Sequence, residues 1–300
     1  MGVRNGAAHL GEQLQSIADQ THREWQLTMS DDGSDDDSTQ IAEAFAADWS
    51  NRVAVSSGPQ KGFAENFLSM VRGLPDEPGF VAFSDQDDVW MSEKLSRGMA
   101  ALSAVDGGLP ALYGSASYIW NVAAGTRVET PPLRRPASFA NALVENFATG
   151  NTMILNPAAA RLLRDASRNI EEVYAHDWWA YALISGCGGR VIHDREPTLL
   201  YRQHPDNEIG AGETLLRRIR RDIAVADGRY ERKVGQQIRA LRQCENLLTA
   251  ENAAVLDAFA SARTSSPALR RFSRIARSGV YRQSMGDSIG FYIAALIGKV

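Results

Sequence analysis

The run Ser84-Asp85-Gln86-Asp87-Asp88 follows apolar Val81-Ala82-Phe83 and precedes Val89-Trp90-Met91. Carboxylates wedged between apolar segments need partners. An Asp-x-Asp at a strand end offers oxygen ligands to Mg²⁺ or Mn²⁺, ions that one or two carboxylates hold while water and phosphate fill the other positions. A cation held this way neutralises a departing diphosphate, as sugar transfer from a nucleoside diphosphate requires. The alternative is an acidic surface turn, and the apolar neighbours weigh against it.

A second acidic stretch, Ser30-Asp31-Asp32-Gly33-Ser34-Asp35-Asp36-Asp37, has its glycine too early for a calcium loop and lacks the bidentate Glu at the twelfth place. Asp31 or Asp32 can instead accept a hydrogen bond from the imide N–H of uracil or thymine. Asp177, in His176-Asp177-Trp178-Trp179, opens an aromatic helix, where it can serve as an N-cap.

These residues need elements to hold them. Leu10, Leu14 and Ile17 share one face of a helix over 8–21, and 24–29 reads as a strand broken by the Ser30–Ser34 segment. Ser38 is a plausible N-cap for a helix running to Trp49, and 52–56 is a short strand. A helix over 65–72, a buried strand over 79–84, a helix over 93–105 and a strand over 111–119 continue the alternation. Residues 152–155 and 189–192 are further strands, flanking the helix with Asp177. Alternating helices and strands imply an α/β fold, a mostly parallel sheet covered on both faces with ligands at the carboxyl ends of its strands.

Composition sets the outer limits. Three hundred residues with 44% hydrophobic and 23% charged side chains support a large core. Cys187 and Cys244 stand far apart with no CxxC partner, so neither a zinc knuckle nor a disulfide framework is indicated and a reducing cytoplasm fits best. No signal pattern is evident, and the longest apolar stretch, Ile289 to Ile297, is too short to span a bilayer. The net charge of −4 conceals a polarity: residues 211–300 carry 16 Lys/Arg against 8 Asp/Glu, and residues 1–210 carry 16 against 28. A boundary is expected near residue 211, where long Arg-, Leu- and Ala-rich helices begin.

The motifs, taken in order, resemble family 2 of the inverting glycosyltransferases, with a GT-A fold, and its bacterial rhamnosyltransferase-like branch. The likeness runs through Asn5-Gly6, Glu12-Gln13-Leu14, Ser30-Asp31-Asp32-Gly33-Ser34, Gly62-Phe63-Ala64-Glu65-Asn66-Phe67, Ser84 to Trp90, Thr149-Gly150-Asn151-Thr152, His176 to Trp179 and Tyr201-Arg202-Gln203-His204. It covers about the first 210 residues. The resemblance implies transfer of a sugar, rhamnose among the candidates, from a dTDP- or UDP-sugar to a glycan or lipid-linked acceptor in cell-surface polysaccharide synthesis. It implies that Asp31 and Asp32 hold the nucleobase and ribose while the Lys61-Gly62 loop closes over the base. Asp85, with Gln86, would face the ribose or the Mg²⁺ or Mn²⁺ ion, Asp87 would be its principal ligand, and Asp88 would secure the turn or the acceptor side. Asp177 would be the base, Arg202 would pair with phosphate, and His204 would reach the metal.

Two features depart from that pattern. The family opens with a hydrophobic strand before Thr-Tyr-Asn-Gly, whereas this sequence begins Met1-Gly2-Val3-Arg4-Asn5-Gly6. The first strand is therefore expected to be missing, through a start codon placed late or through truncation to a non-catalytic nucleotide-binding or assembly protein. The basic tail, 268–300, sets Arg270, Arg271, Arg274 and Arg277 among apolar residues. It suits the inner membrane surface rather than nucleic acid, or a helical cap packed on the catalytic part or on a second subunit of a homo-oligomer. A metal-dependent phosphohydrolase is disfavoured, since no second carboxylate-histidine set for a two-metal site is apparent.

Overall fold

A computed structural model describes residues 1–203 and 228–300. Two compact units emerge. The first comprises Met1–Pro132, Ala148–Arg168 and residues 192–203; the second comprises Leu133–Phe147, Asn169–Val191 and residues 228–300. The boundary expected near residue 211 lies outside the described residues.

The first unit begins with three parallel strands in the order β1 (Gly2–Val3), β2 (Leu27–Asp31), β3 (Val53–Ser57). Helices α1 (Ala7–Ala18), α2 (Ser38–Asp48) and α3 (Phe63–Arg72) follow them in turn. Although the sequence predicts no first strand, Gly2 pairs with Ser30 and Val3 with Asp31, and the N–H of Asp32 donates to Val3 O at 2.8 Å. The alternation in β2, with Leu27 and Met29 buried and Thr28 exposed, meets Leu10, Leu14 and Ile17 of α1 in one core. β2 runs on to Asp31, two residues past the predicted end, because its ladder to β3 continues as far as Asp31 and Ser57.

The second sheet has the order β4 (Val81–Ala82), β8 (Ile154–Leu155), β6 (Ala111–Asn121), β9 (Arg190–Gln203), β5 (Val89–Trp90), with β7 (Thr126–Glu129) paired to β6. The β4–β8, β8–β6, β6–β7 and β5–β9 pairings are antiparallel, so the mostly parallel character expected of the whole sheet holds only in the first three strands. The strand predicted over 79–84 contracts to two residues and that over 189–192 lengthens to fourteen. α4 (Lys94–Ser103) packs on β6 and β8, and α6 (Pro157–Ser167) packs on α3.

The second unit is helical among the described residues: α5 (Phe139–Ala142), α7 (His176–Gly186), α8 (Arg229–Gln243), α9 (Ala250–Arg263), α10 (Ala268–Arg277) and α11 (Met285–Ile297). α7 is buried along nearly its whole length, and Gln237 of α8 donates to Trp178 O at 3.0 Å.

Candidate functional site

The carboxyl ends of β1, β2 and β3 converge on loops that the acidic residues organise. Asp31 folds back on its own turn, Oδ1 accepting from the N–H groups of Gly33 (3.0 Å) and Ser34 (2.8 Å) while Oδ2 takes the Thr39 hydroxyl. Partial burial pushes its carboxyl up, but these hydrogen bonds outweigh that and hold it below its ordinary range. Asp32 is buried and reaches across to the next strand's loop: Oδ1 accepts from Gln60 N (2.6 Å) and Oδ2 from Gly62 N (3.0 Å). That loop places Gln60 at φ 55° and Gly62 at φ 90°, and it leaves Lys61 exposed. Asp32 thus fixes the Lys61-Gly62 segment through its backbone.

Below the same loop, Asn66 of α3 donates to Ser30 O (2.9 Å) and accepts the Ser30 hydroxyl (2.6 Å). A Cβ on Gly58 would lie 2.6 Å from Asn66 Oδ1 and 2.8 Å from Asp32 Oδ1, so only glycine passes there. Ser38 is not the N-cap predicted for α2. Asp37 holds that position without a side-chain bond, and the Ser38 hydroxyl accepts Gly6 N–H at 2.7 Å and donates to Asp36. Asp36 also accepts Ala7 N–H at 3.0 Å, so this acidic stretch covers the amino end of α1.

The Ser84–Asp88 run is fastened from several sides. The Gln86 amide pairs with Arg4 like a strand rung, Oε1 accepting Arg4 N–H (2.7 Å) and Nε2 donating to Arg4 O (2.8 Å). Gly6 leaves room for it, since a Cβ there would meet Gln86 at 2.4 Å. Gln13 of α1, fully buried and with its amide oriented by its neighbours, donates to Asp88 O (2.8 Å) and accepts from Ser84 Oγ (2.9 Å) and Trp90 Nε1 (3.1 Å). Arg202, expected at a phosphate, is 4% exposed. Its Nε donates to Asp87 O at 2.9 Å, its Nη2 pairs with Glu12, and its guanidinium lies 4.4 Å from the Trp120 ring centre.

Asp85 and Asp87 keep partial exposure, whereas Asp88 is fully buried. One Asp88 oxygen accepts from Asn151 Nδ2 at 2.7 Å, and the other has no hydrogen-bond partner among the described residues. Burial, then the charges of Asp85 and Asp87, push its carboxyl well up; Asn151 and Lys94 oppose this. Lys94 is itself buried, donates to Asn151 O at 2.8 Å and sits 4.9 Å from the Trp90 ring centre. Burial lowers its ammonium to about 7, against the pull of Asp88 and Asp85. Of the three acids in this run, Asp85 and Asp87 are partly open, and one or two carboxylates are what a Mg²⁺ or Mn²⁺ completed by phosphate oxygens and water requires of a protein. Among the described residues no three His, Cys, Asp or Glu side chains form a full protein shell, and His204 lies outside them.

Asp177 belongs to the second unit, in the first turn of α7. Ala175 is the N-cap there, so the capping role allowed to Asp177 does not apply; its Oδ1 accepts the N–H of Trp178 at 2.6 Å. His176 beside it is buried, which lowers its imidazole to about 3 and keeps it neutral. Trp178 Nε1 donates to Ala142 O at 2.6 Å, fixing the turn that presents Asp177.

Sequence reasoning passed over Lys94, and it named Glu12, Gln13 and Asn151 without a role. The signal for Lys94 was its place one residue before Leu95, on the buried side of α4 with Gly98 and Leu102.

The model of the family described as "Glycosyl transferase family 2" matches residues 1–154. The dTDP-rhamnosyl transferase RfbG of Shigella flexneri is 25% identical over 253 residues, covering 80% of this chain and 84% of the relative. Among solved structures, residues 1–349 of S. aureus TarS in complex with UDP give a TM-score of 0.57 at 16% identity, covering 99% of this chain and 87% of that one. The mannosyltransferase PcManGT of Pyrobaculum calidifontis, in complex with GDP-Man and Mn²⁺, gives 0.51 at 16%, covering 99% and 84%.

Proposed function

This chain belongs to glycosyl transferase family 2 and has the GT-A fold, and on that footing we propose that it transfers a hexose, rhamnose first among the candidates, from a dTDP- or UDP-sugar with inversion. The observation that carries the reading is the pair of half-open carboxylates, Asp85 and Asp87, on a loop pinned by Gln13, Arg4 and Arg202, all in the unit where Asp32 sets the Lys61-Gly62 loop. The relative whose name gives dTDP-rhamnose as donor supports that choice, and the structures bound to UDP and to GDP-Man with Mn²⁺ support a nucleoside-diphosphate donor with a divalent cation.

In this reading Asp87, with Asp85, holds Mg²⁺ or Mn²⁺, which when bound supplies charge neutralisation to the leaving diphosphate. Asp31 and Asp32 order the loops that enclose the base and ribose. Asp87 is held from behind by Arg202, whose contacts favour a positioning role over direct pairing with phosphate. Asp177 accepts the proton of the acceptor hydroxyl as that oxygen attacks the anomeric carbon opposite the diphosphate. The acceptor is a glycan or lipid-linked glycan of the cell surface, reached from the cytoplasmic side.

A panel of nucleotide sugars, assayed for hydrolysis and transfer with Mg²⁺ or Mn²⁺, tests this. Asp87→Ala should lose metal-dependent donor binding, and Asp177→Asn should retain binding and lose transfer by about 10²- to 10⁴-fold. Wild-type transfer by Asp177→Asn would remove the base assignment, and metal-independent turnover would remove the role of Asp87.

A further inference from the structure

The last two helices of the second unit carry a surface that the transfer reaction does not use. On α11, Met285, Ile289, Ile293 and Ile297 recur every fourth residue and are 79%, 56%, 55% and 60% exposed. At about 100° per residue they share one side of the helix with exposed Gly286 and Gly290, opposite the buried Phe291, Ala294 and Ala295. No charged side chain interrupts that side. The only acid in α11, Asp287, is engaged at the helix start, where Ser284 donates to its carboxylate at 2.6 Å. Four large aliphatic side chains in one continuous solvent-facing stripe exceed the scattered apolar exposure of an ordinary surface.

α10 is joined firmly to this stripe. Arg271 donates to Ala295 O (2.6 Å), Leu296 O (2.8 Å) and Ser265 O (3.2 Å), and the rings of Phe272 and Tyr292 meet with centroids 5.6 Å apart. The outer side of α10 presents Arg270, Arg274 and Arg277, all exposed and none in an ion pair among the described residues, beside Leu269 at 76% exposure. Residues 266–300 contain six Lys/Arg against one Asp.

We propose that α10 and α11 dock this protein on an anionic lipid surface, the Met285-Ile289-Ile293-Ile297 stripe entering the headgroup–acyl boundary while Arg270, Arg274 and Arg277 meet the headgroup phosphates. Thirteen residues of helix extend about 20 Å, short of the roughly 30 Å hydrocarbon core, so the helix lies in the interface. No helix among the described residues is long and apolar enough to cross a membrane. Lipid is favoured over a second copy of this chain because the stripe lies in a segment with six Lys/Arg against one Asp, a charge that anionic headgroups complement and that a second copy would repel. The inference stands apart from the donor chemistry, since none of these residues belongs to the acidic loops.

The experiment is co-sedimentation of the full chain with phosphatidylcholine vesicles, with and without phosphatidylglycerol, at low and high salt. Wild type should pellet with the anionic vesicles, remain soluble with the neutral ones and be released by salt. Ile289→Glu/Ile293→Glu should lose vesicle binding while keeping its melting temperature and its donor-sugar hydrolysis. Arg270→Gln/Arg274→Gln/Arg277→Gln should bind about a hundredfold more weakly, roughly fivefold per arginine, and serves as the second variant if the first folds poorly. The proposal is overturned if wild type ignores anionic vesicles or if either variant binds as wild type does. It is equally overturned if light scattering shows a dimer that Ile289→Glu/Ile293→Glu dissociates without change in vesicle binding. Loss of hydrolysis in wild type would count against the transferase reading alone.

Discussion

Arg202 Nε donates to the carbonyl oxygen of Asp87 across 2.9 Å, tying the carboxyl end of β9 to the loop that carries the half-open carboxylates. The two residues are 115 positions apart in sequence. Because Nη2 pairs with Glu12 and the plane of the group faces Trp120, the guanidinium is held on three sides.

Arg202→Lys separates positioning from simple charge. Lysine keeps the cation but loses the fork and the ring contact. A charge-assisted bond of this kind contributes about 1.5–3 kcal/mol, so kcat/KM should fall about 10- to 100-fold and the apparent metal affinity should weaken with it. Wild-type kinetics in steady-state assays across Mn²⁺ concentration would return Arg202 to a purely electrostatic role.

Gly58→Ala places a methyl group against Asn66 and Asp32 while both are engaged, and 3.1 Å from Asp31 O. Overpacking of this kind costs about 1–3 kcal/mol. The Lys61-Gly62 loop should shift, raising the donor KM by about 5- to 100-fold with a smaller effect on kcat. Titration with UDP or dTDP checks this, and undiminished nucleotide affinity would sink it.

Asn151→Ala takes away the one hydrogen-bond donor that the Asp88 carboxyl has among the described residues, leaving a fully buried group with none there. The cost of such a loss is about 1–3 kcal/mol. For a chain of this size the melting temperature should drop by about 2–10 °C. A scanning-calorimetry trace superimposable on wild type would refute the contact's importance.

His176 gives a pH dependence with a definite sign. Its folded imidazole titrates near 3 and its unfolded one near 6.5, because burial disfavours the cation. Below pH 6.5 the unfolded chain therefore binds the proton first, so stability is full above that value and is lost as pH falls toward 3. The slope from this one group is at most about 1.4 kcal/mol per pH unit. Urea unfolding at stepped pH should show His176→Asn losing less stability than wild type between pH 6.5 and 5; parallel curves would contradict the assignment.

Much of this protein was legible in residue order. The helix stripe Leu10-Leu14-Ile17, the acidic segments after β2 and between β4 and β5 and the apolar residues that flank them are local properties. Side-chain period and turn chemistry operate over a few residues, so a sequence displays them directly. The family, too, was carried by short motifs in a fixed order.

The occupation of those groups was not legible, because hydrogen-bond partners are chosen in space. Asp32 binds the backbone 28 and 30 residues ahead, Gln86 completes a strand rung with Arg4 across 82 residues, and Asn151 reaches Asp88 across 63. Lys94 reads as a surface lysine until α4 packs and seals it beside Asp88, where desolvation lowers its ammonium. Sequence determined which chemical groups stand at the strand ends. Packing alone decided that Asp85 and Asp87 stay partly open while Asp32, Asp88 and Arg202 are buried behind them, since only a closed fold removes water from one carboxylate and leaves it to the next.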